Sequence, residues 1–250
     1  MKIFTICSQC LKIHLEKGAK YGETNAVNLQ INDGGIHPFT CMFGHKNAII
    51  NYDEKFETLF ESAAYAIDDG YYKEAVSSIA SSLEALYEYS IKVLLLSSQL
   101  EMKQIRETWK NISQQSERQL GAFIMLYFRE FGTCPPVLNQ QQVEFRNRSI
   151  HKGYFPNIKE VKEFGEAILK IMFQILIMLR TNIKEGIKKY KSIRTEEMMQ
   201  KAKDVSDYQF PIQHHTIFYN ANEGFEYSKV LLLENYLKDL LRIEKHVKFD

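Results

Sequence analysis

The sequence predicts a mainly α-helical chain that carries a small β-rich module at its N-terminus. Three observations predict it. Over 250 residues there are only 12 Gly and 5 Pro, against about 17 and 12 in average composition, a shortage that argues against a turn-rich β architecture. From Asp53 onward, apolar residues recur at helical spacing. Residues 1–50 lack that spacing and hold three of the four Cys. A hydrophobic content of 45% with 25% charged residues excludes wholesale disorder.

In the first fifty residues, Lys2–Ile6 and Ala26–Ile31 read as short strands, and no segment has a good helical period. The helical body follows. Phe56, Leu59, Phe60, Ala63 and Ile67 form one stripe, stopped by Gly70. Ala75, Val76, Ile79, Ala80, Leu83, Leu86, Tyr87, Ser90, Ile91 and Leu94 mark a long amphipathic helix. Met102, Ile105, Trp109 and Ile112 mark a third, and Leu120, Phe123, Tyr127 and Phe131 a fourth, ended by Gly132 and Pro135-Pro136. A fifth runs from about Asn139 to His151, with Gly153 just past its end. The helix expected from Lys159 to Lys191 is apolar over much of its surface and therefore central, with more apolar area than one chain of this size readily hides. In the tail, 184–203 carries seven basic residues against three acidic ones, His214–Tyr219 reads as a strand and Tyr227–Val247 as a last helix. The expected domains are a module at 1–50, a helical body at 51–191 and a C-terminal extension at 192–250.

Charge and cysteine usage bound the function. Lys+Arg total 32 and Asp+Glu 31, so no global basic field holds nucleic acid, and any such contact needs a local patch. The start of the chain has no apolar signal-peptide core. The longest apolar run, Ile168–Leu179, is broken by Lys170 and Gln174 and falls short of the ~20 residues a bilayer needs. The expectation is a cytoplasmic protein with reduced thiols and no membrane partner.

Cys7-Ser8-Gln9-Cys10 is a C-x2-C pair, and Cys41-Met42-Phe43-Gly44-His45 adds C-x3-H. A C-x2-C turn lets two thiolates reach one ion, and Cys3His is a common structural zinc set. A module this poor in apolar residues needs such a staple. Cys7, Cys10, Cys41 and His45 are the expected ligands of a structural zinc, with His37 competing for the fourth place although His45 has the better spacing. The alternatives are a redox pair, which lacks a thioredoxin-like βαβ setting, and a metal-free module. A closed four-ligand site keeps no open position, so no catalysis is assigned to it. Cys134 stands apart from the cluster in sequence and reads as inert.

A second motif lies in the body. In Phe145-Arg146-Asn147-Arg148-Ser149-Ile150-His151-Lys152-Gly153, Asn147 and His151 are spaced i, i+4 and share a helix face. Arg146 is about 100° round from Asn147, and its long side chain can bend into the same cleft. His151 falls at the helix C-terminus, where the dipole favours a cation. By themselves these residues read first as a solvated surface Arg and a C-capping His.

Three pieces together resemble the HEPN superfamily over about residues 53–190. Asp69-Gly70-Tyr71-Tyr72-Lys73-Glu74-Ala75-Val76 leads into Ser82-Leu83-Glu84-Ala85-Leu86, similar to the family's second helix with its internal Glu. Arg146-Asn147 to His151 resembles its R-x4-6-H motif, and His151–Pro156 precedes a long helix as in the family core. The resemblance implies an up-and-down bundle of four or five helices that pairs as a homodimer, and a metal-independent endoribonuclease whose composite site forms where two motif helices meet. It further implies that Arg146 and His151 are catalytic and that Asn147 orders the site. Glu84, on the edge of its stripe, would brace Arg146, or the two would form a plain structural ion pair.

The chemistry suits that reading. A His serves as base for the ribose 2′-OH or acid for the 5′-oxygen, an Arg fork holds the phosphorane, and two chains supply both proton carriers. Expected partners are an RNA substrate, a second copy of the chain, and an antitoxin or sensor protein, in a toxin or anti-phage setting. The module and the basic 184–203 stretch would grip RNA; the plainer view of that stretch is a solvated helix face. Two alternatives remain: a non-catalytic HEPN-like scaffold that binds a partner or nucleotide, and a zinc-ribbon nucleic-acid-binding regulator.

Overall fold

A computed structural model of the chain describes residues 2–16, 26–203 and 212–213 together with Leu233 and Leu237. These residues are mainly helical, with a small N-terminal strand module. The chain divides into two compact units, Met1–Asp53 with Ile193–Tyr219 and Glu54–Ser192 with Asn220–Asp250. The strand expected at 214–219 lies outside the described residues, as does the helix expected at 227–247 apart from Leu233 and Leu237, which are both helical.

The first unit contains two small sheets. Strand β1 (Lys2–Ile6) leads into helix α1 (Ser8–Glu16) and pairs antiparallel with β2 (Ala26–Gln30). Strands β3 (Ile36–Thr40) and β4 (Lys46–Asn51) form an antiparallel hairpin, and β5 (Ile212–Gln213) adds to β4 in parallel. Along β4 every residue from Asn47 to Asn51 is buried. A strand covered on one face would alternate, so β4 has both faces covered.

Helix α1 corrects the expectation that residues 1–50 hold no helix. It has only nine residues, too few for a clear period, and distant groups hold its start. The Cys10 N–H donates to Cys7 Sγ, and the Ser8 N–H donates to Asn47 Oδ1 across the module. Tertiary capping, which periodicity does not see, sustains it.

The second unit contains α2 (Lys55–Asp68), α3 (Tyr72–Ser97), α4 (Met102–Trp109), α5 (Ser116–Phe131), α6 (Gln140–His151), α7 (Ile158–Asn182) and the start of α8 (Lys184–Lys203). Reciprocal capping boxes open α2 (Glu54 with Glu57), α6 (Asn139 with Gln142) and α7 (Asn157 with Glu160). Gly132 closes α5 in the left-handed conformation at φ 68°, as its sequence position predicts.

Helix α3 is the element around which the unit is built: α2, α4, α5, α6 and α7 all pack on it. Phe60, Ile79, Leu86, Ile91, Leu94, Phe123 and Phe173 are its largest fully buried side chains.

Two further expectations are corrected here. The helix expected from 159 to 191 breaks at Ile183. Asn182 Nδ2 donates back to the Met178 carbonyl, Ile183 is buried, and α8 starts anew at Lys184. A Cβ on Gly186 would lie 2.4 Å from the Val93 carbonyl oxygen, so the chain has turned in against the end of α3. The apolar surface of α7 also needs no second chain: Phe164, Ile168, Ile171, Met172, Ile175, Leu176 and Leu179 are all buried within this one.

Candidate functional site

Two groups of chemically able side chains stand out, one in each unit. In the first unit, Cys7 ends β1 at the mouth of α1, and Cys10 lies in the first turn of that helix. Cys41 and His45 flank the β3–β4 turn, where the Cys41 N–H donates to the His45 carbonyl at 3.0 Å and the Gly44 N–H to the Cys41 carbonyl at 2.9 Å. Gly44 takes φ 79°, a left-handed value the tight turn requires. The three Sγ atoms and one imidazole nitrogen all lie within 4.8 Å of one another.

A tetrahedral ion with metal–sulfur bonds of about 2.3 Å and a metal–nitrogen bond of about 2.0 Å demands ligand edges of about 3.8 Å between sulfurs and about 3.5 Å from sulfur to nitrogen. The Cys10–Cys41 sulfurs are 3.7 Å apart, and His45 Nδ1 lies 3.7 Å from Cys7 Sγ and 3.3 Å from Cys10 Sγ. The donor set therefore fits one metal ion. Burial, with the neighbouring thiols, pushes the Cys10 thiol up to about 12. Burial also opposes ionisation of Cys41, but hydrogen bonds from the Phe43 and His45 peptides outweigh it and hold that thiol below its ordinary value. A bound cation relieves the desolvation that opposes thiolates here.

The residue that ties the two halves together is Asn47, which spacing alone did not reveal. It is 1% exposed. Its Oδ1 accepts from Ser8 Oγ at 2.9 Å and from the Ser8 N–H at 3.3 Å. Its Nδ2 donates to Cys7 Sγ and to the His45 carbonyl, both at 3.1 Å. One amide thus fixes the helix start, one sulfur and the hairpin turn, the outer-shell role that orients metal ligands. The one available signal was an amide directly before the apolar run Ala48-Ile49-Ile50. His37 is not in the cluster: it is buried in β3, where its Nδ1 meets Asn32 Nδ2 at 3.2 Å, and burial holds its pKa below the ordinary value. Cys134 is exposed and apart.

In the same unit, Arg194 is committed to structure. Its guanidinium donates to the Tyr52 and Asp53 carbonyls at 2.8 and 2.7 Å and lies 4.8 Å over the Tyr52 ring. This member of the basic 184–203 stretch serves the module's own backbone.

In the second unit, α3, the start of α5 and the end of α6 enclose a cleft of about 560 Å³. Glu84, Glu117, Arg146, Asn147, His151 and Lys152 line it. The i, i+4 spacing puts Asn147 and His151 on one face of α6, and the Arg146 side chain reaches the same cleft. Arg146 Nη2 pairs with Glu84 Oε1, and both side chains stay partly open, at 21% and 35% exposure. The buried Tyr87 hydroxyl has its pKa raised first by burial and then by the Glu84 carboxylate.

Arg148, two residues from Arg146, has a different task. It lies 4.2 Å over the Tyr154 ring and 3.6 Å from the Glu160 carboxylate. Tyr154 Oη donates to the same carboxylate at 2.8 Å, and Gly153 makes the connecting turn at φ 69°. This packing fixes the end of α6, and with it the position of His151.

Chemically, the cleft offers two cations, an imidazole, an amide and two carboxylates around one open space, enough for anion binding and proton transfer. Sequence reasoning named Glu84, Arg146, Asn147 and His151, and the structure brings all four to the cleft. It missed Glu117 and Lys152, which no motif marks. Among the described residues no helix is long and apolar enough to cross a membrane. No known protein family, curated protein or solved structure matches the chain.

Proposed function

We propose that the chain is a metal-independent endoribonuclease of HEPN type that acts as a homodimer, with a structural zinc at Cys7, Cys10, Cys41 and His45. The observation that carries this reading is the cleft that holds Glu84, Arg146, Asn147 and His151 together in a helical body. Arg146 places fixed charge on the nonbridging phosphate oxygens, and Glu84 holds it in position. His151 moves the proton, and Asn147, one helical turn before it, orders the substrate. Cleavage by the ribose 2′-OH needs both a base and an acid. A single His151 per cleft supplies one of them, which is the chemical reason for a second chain. The products are 2′,3′-cyclic phosphate and 5′-hydroxyl ends. The zinc, when bound, supplies folding energy to its module and takes no part in the chemistry. A toxin or anti-phage role, held in check by an antitoxin or sensor protein, fits such an activity.

The test is cleavage of RNA in EDTA by the purified full chain. His151→Ala should lower the rate about 10²–10⁴-fold and Arg146→Ala about 10²–10³-fold. Wild-type cleavage by folded His151→Ala would overturn the assignment. The second reading, a non-catalytic bundle, is favoured by the Arg146–Glu84 ion pair, which an architectural contact would also make. It requires that Arg146→Ala destabilise the fold while no RNA is cut.

A further inference from the structure

The cleft does not end at Arg146. Behind it, between α3, α5 and α6, lies a second cavity of about 190 Å³. Leu83, Tyr87, Leu120, Val137 and Val143 give it apolar walls. The two spaces share Glu84, Ser116, Glu117, Arg146 and Asn147 as common boundary. Its roof is the α5–α6 connection, which Pro135-Pro136 stiffens just before Val137. The Tyr87 ring on its floor is itself held, stacked 4.7 Å from Phe123.

A preformed apolar hollow with polar groups at one rim is the usual form of a ligand site. Its rim is here the Glu84, Glu117, Arg146 and Asn147 edge of the cleft, so the occupant joins a body with an apolar face to an anion. Nucleotides have that chemistry, and unpaired bases are commonly taken into apolar, aromatic-lined sites.

We propose that this cavity is a base subsite, taking the nucleobase of the nucleotide whose phosphate meets Arg146 and His151. The inference rests on the ribonuclease reading for the placing of the phosphate. The rim also sets a preference. The Glu117 carboxylate only accepts hydrogen bonds, and the Asn147 amide can donate as well. Guanine matches that pair, presenting two adjacent donors at N1 and N2 and an acceptor at O6. Uracil offers a single donor and fills less of the apolar hollow.

Binding of guanosine monophosphate, uridine monophosphate and ribose 5-phosphate to the full-length His151→Ala protein by calorimetry tests the proposal without turnover. One good bidentate pair is worth about 1–3 kcal/mol, so guanosine monophosphate should bind about 5–150-fold more tightly than the other two. Val143→Phe, which fills the hollow, should abolish that difference. Glu117→Gln, on an exposed side chain, should shrink it. Equal affinity for all three ligands, or a guanine preference that survives both substitutions, would overturn the subsite. RNA cleavage by the wild-type chain is measured beside it. Cleavage with equal binding removes the subsite and leaves the ribonuclease. A guanine preference lost in both variants, without cleavage, keeps the subsite and removes the ribonuclease.

Discussion

Replacing Asn47 by Ala should loosen the metal centre without touching a ligand. The substitution deletes an amide that makes four hydrogen bonds, to Ser8 Oγ, the Ser8 N–H, Cys7 Sγ and the His45 carbonyl. A typical net contribution is about 0.5–1.5 kcal/mol each, and a buried group left unsatisfied costs about 1–3 kcal/mol. The bonds share one side chain and are not additive, so a total of about 2–4 kcal/mol is expected for the loaded module. Loss of an outer-shell partner lowers metal affinity about 10–100-fold, or about 1.4–2.8 kcal/mol at 1.4 kcal/mol per tenfold, which overlaps the lower part of that range. The assay is zinc transfer to a chromophoric chelator, because a chain of two units has no single well-defined melting temperature. Asn47→Asp separates the two ends of the amide: it keeps the acceptor for Ser8, loses the donor to Cys7 and sets a negative charge beside the thiolates. It should release zinc at least as readily as Asn47→Ala. Zinc held by Asn47→Ala within about twofold of wild type would refute the reasoning.

Other outcomes follow from geometry already described. Cys41→Ser should abolish stoichiometric zinc in elemental analysis, whereas His37→Gln should keep it, since His37 lies outside the cluster. Gly186→Ala should cost about 1–3 kcal/mol in urea unfolding of the helical unit, because the new methyl meets the Val93 carbonyl rather than a movable side chain. Phe123→Ala, at a fully buried ring stacked on Tyr87 and edge-on to Tyr127, should cost about 3–5 kcal/mol in the same measurement. The Asn157 N–H first, then Tyr154 and Arg148, hold the Glu160 carboxyl below its ordinary range. A depressed folded value means stability present above the unfolded pKa and lost as pH falls through the folded one, so the acid limb below about pH 4 should be flatter in Glu160→Gln.

The helical class was legible because its cause is local. Stripes such as Phe56-Phe60-Ala63-Ile67 state a 3.6-residue period in the chain itself, and Gly132 states where α5 must stop. The Cys3His cluster was legible for a similar reason, since C-x2-C and C-x3-H are short-range geometry. What stayed hidden depends on distant contacts. Helix α1 begins where Asn47 caps it from β4, and α7 ends where Gly186 meets α3. Spacing also could not divide labour between Arg146 and Arg148. The resemblance pointed to Arg146 with Glu84, and only the fold reveals that Arg148 is stacked on Tyr154 instead. The inference of a dimer from the apolarity of α7 failed because it counted apolar positions without knowing how many neighbours α3 and the helices around it would supply.

The first unit is not contiguous along the chain, and this bears on the order in which the protein can be made. Strand β4 pairs with Ile212 and Gln213, and Ile50 packs with Met198 and Ala202, yet residues 54–192 intervene. During synthesis the module's first fifty-three residues emerge long before the pieces that complete them. Closing so long a loop is slow and entropically costly, whereas the helices between can form from nearby neighbours. The helical unit should therefore mature first, and the module last, with metal capture drawing its early half together in the interval. A nascent chain halted before residue 193 would leave the edge of β4 unpaired and Ile50 uncovered, an invitation to strand-to-strand aggregation that the finished chain withdraws.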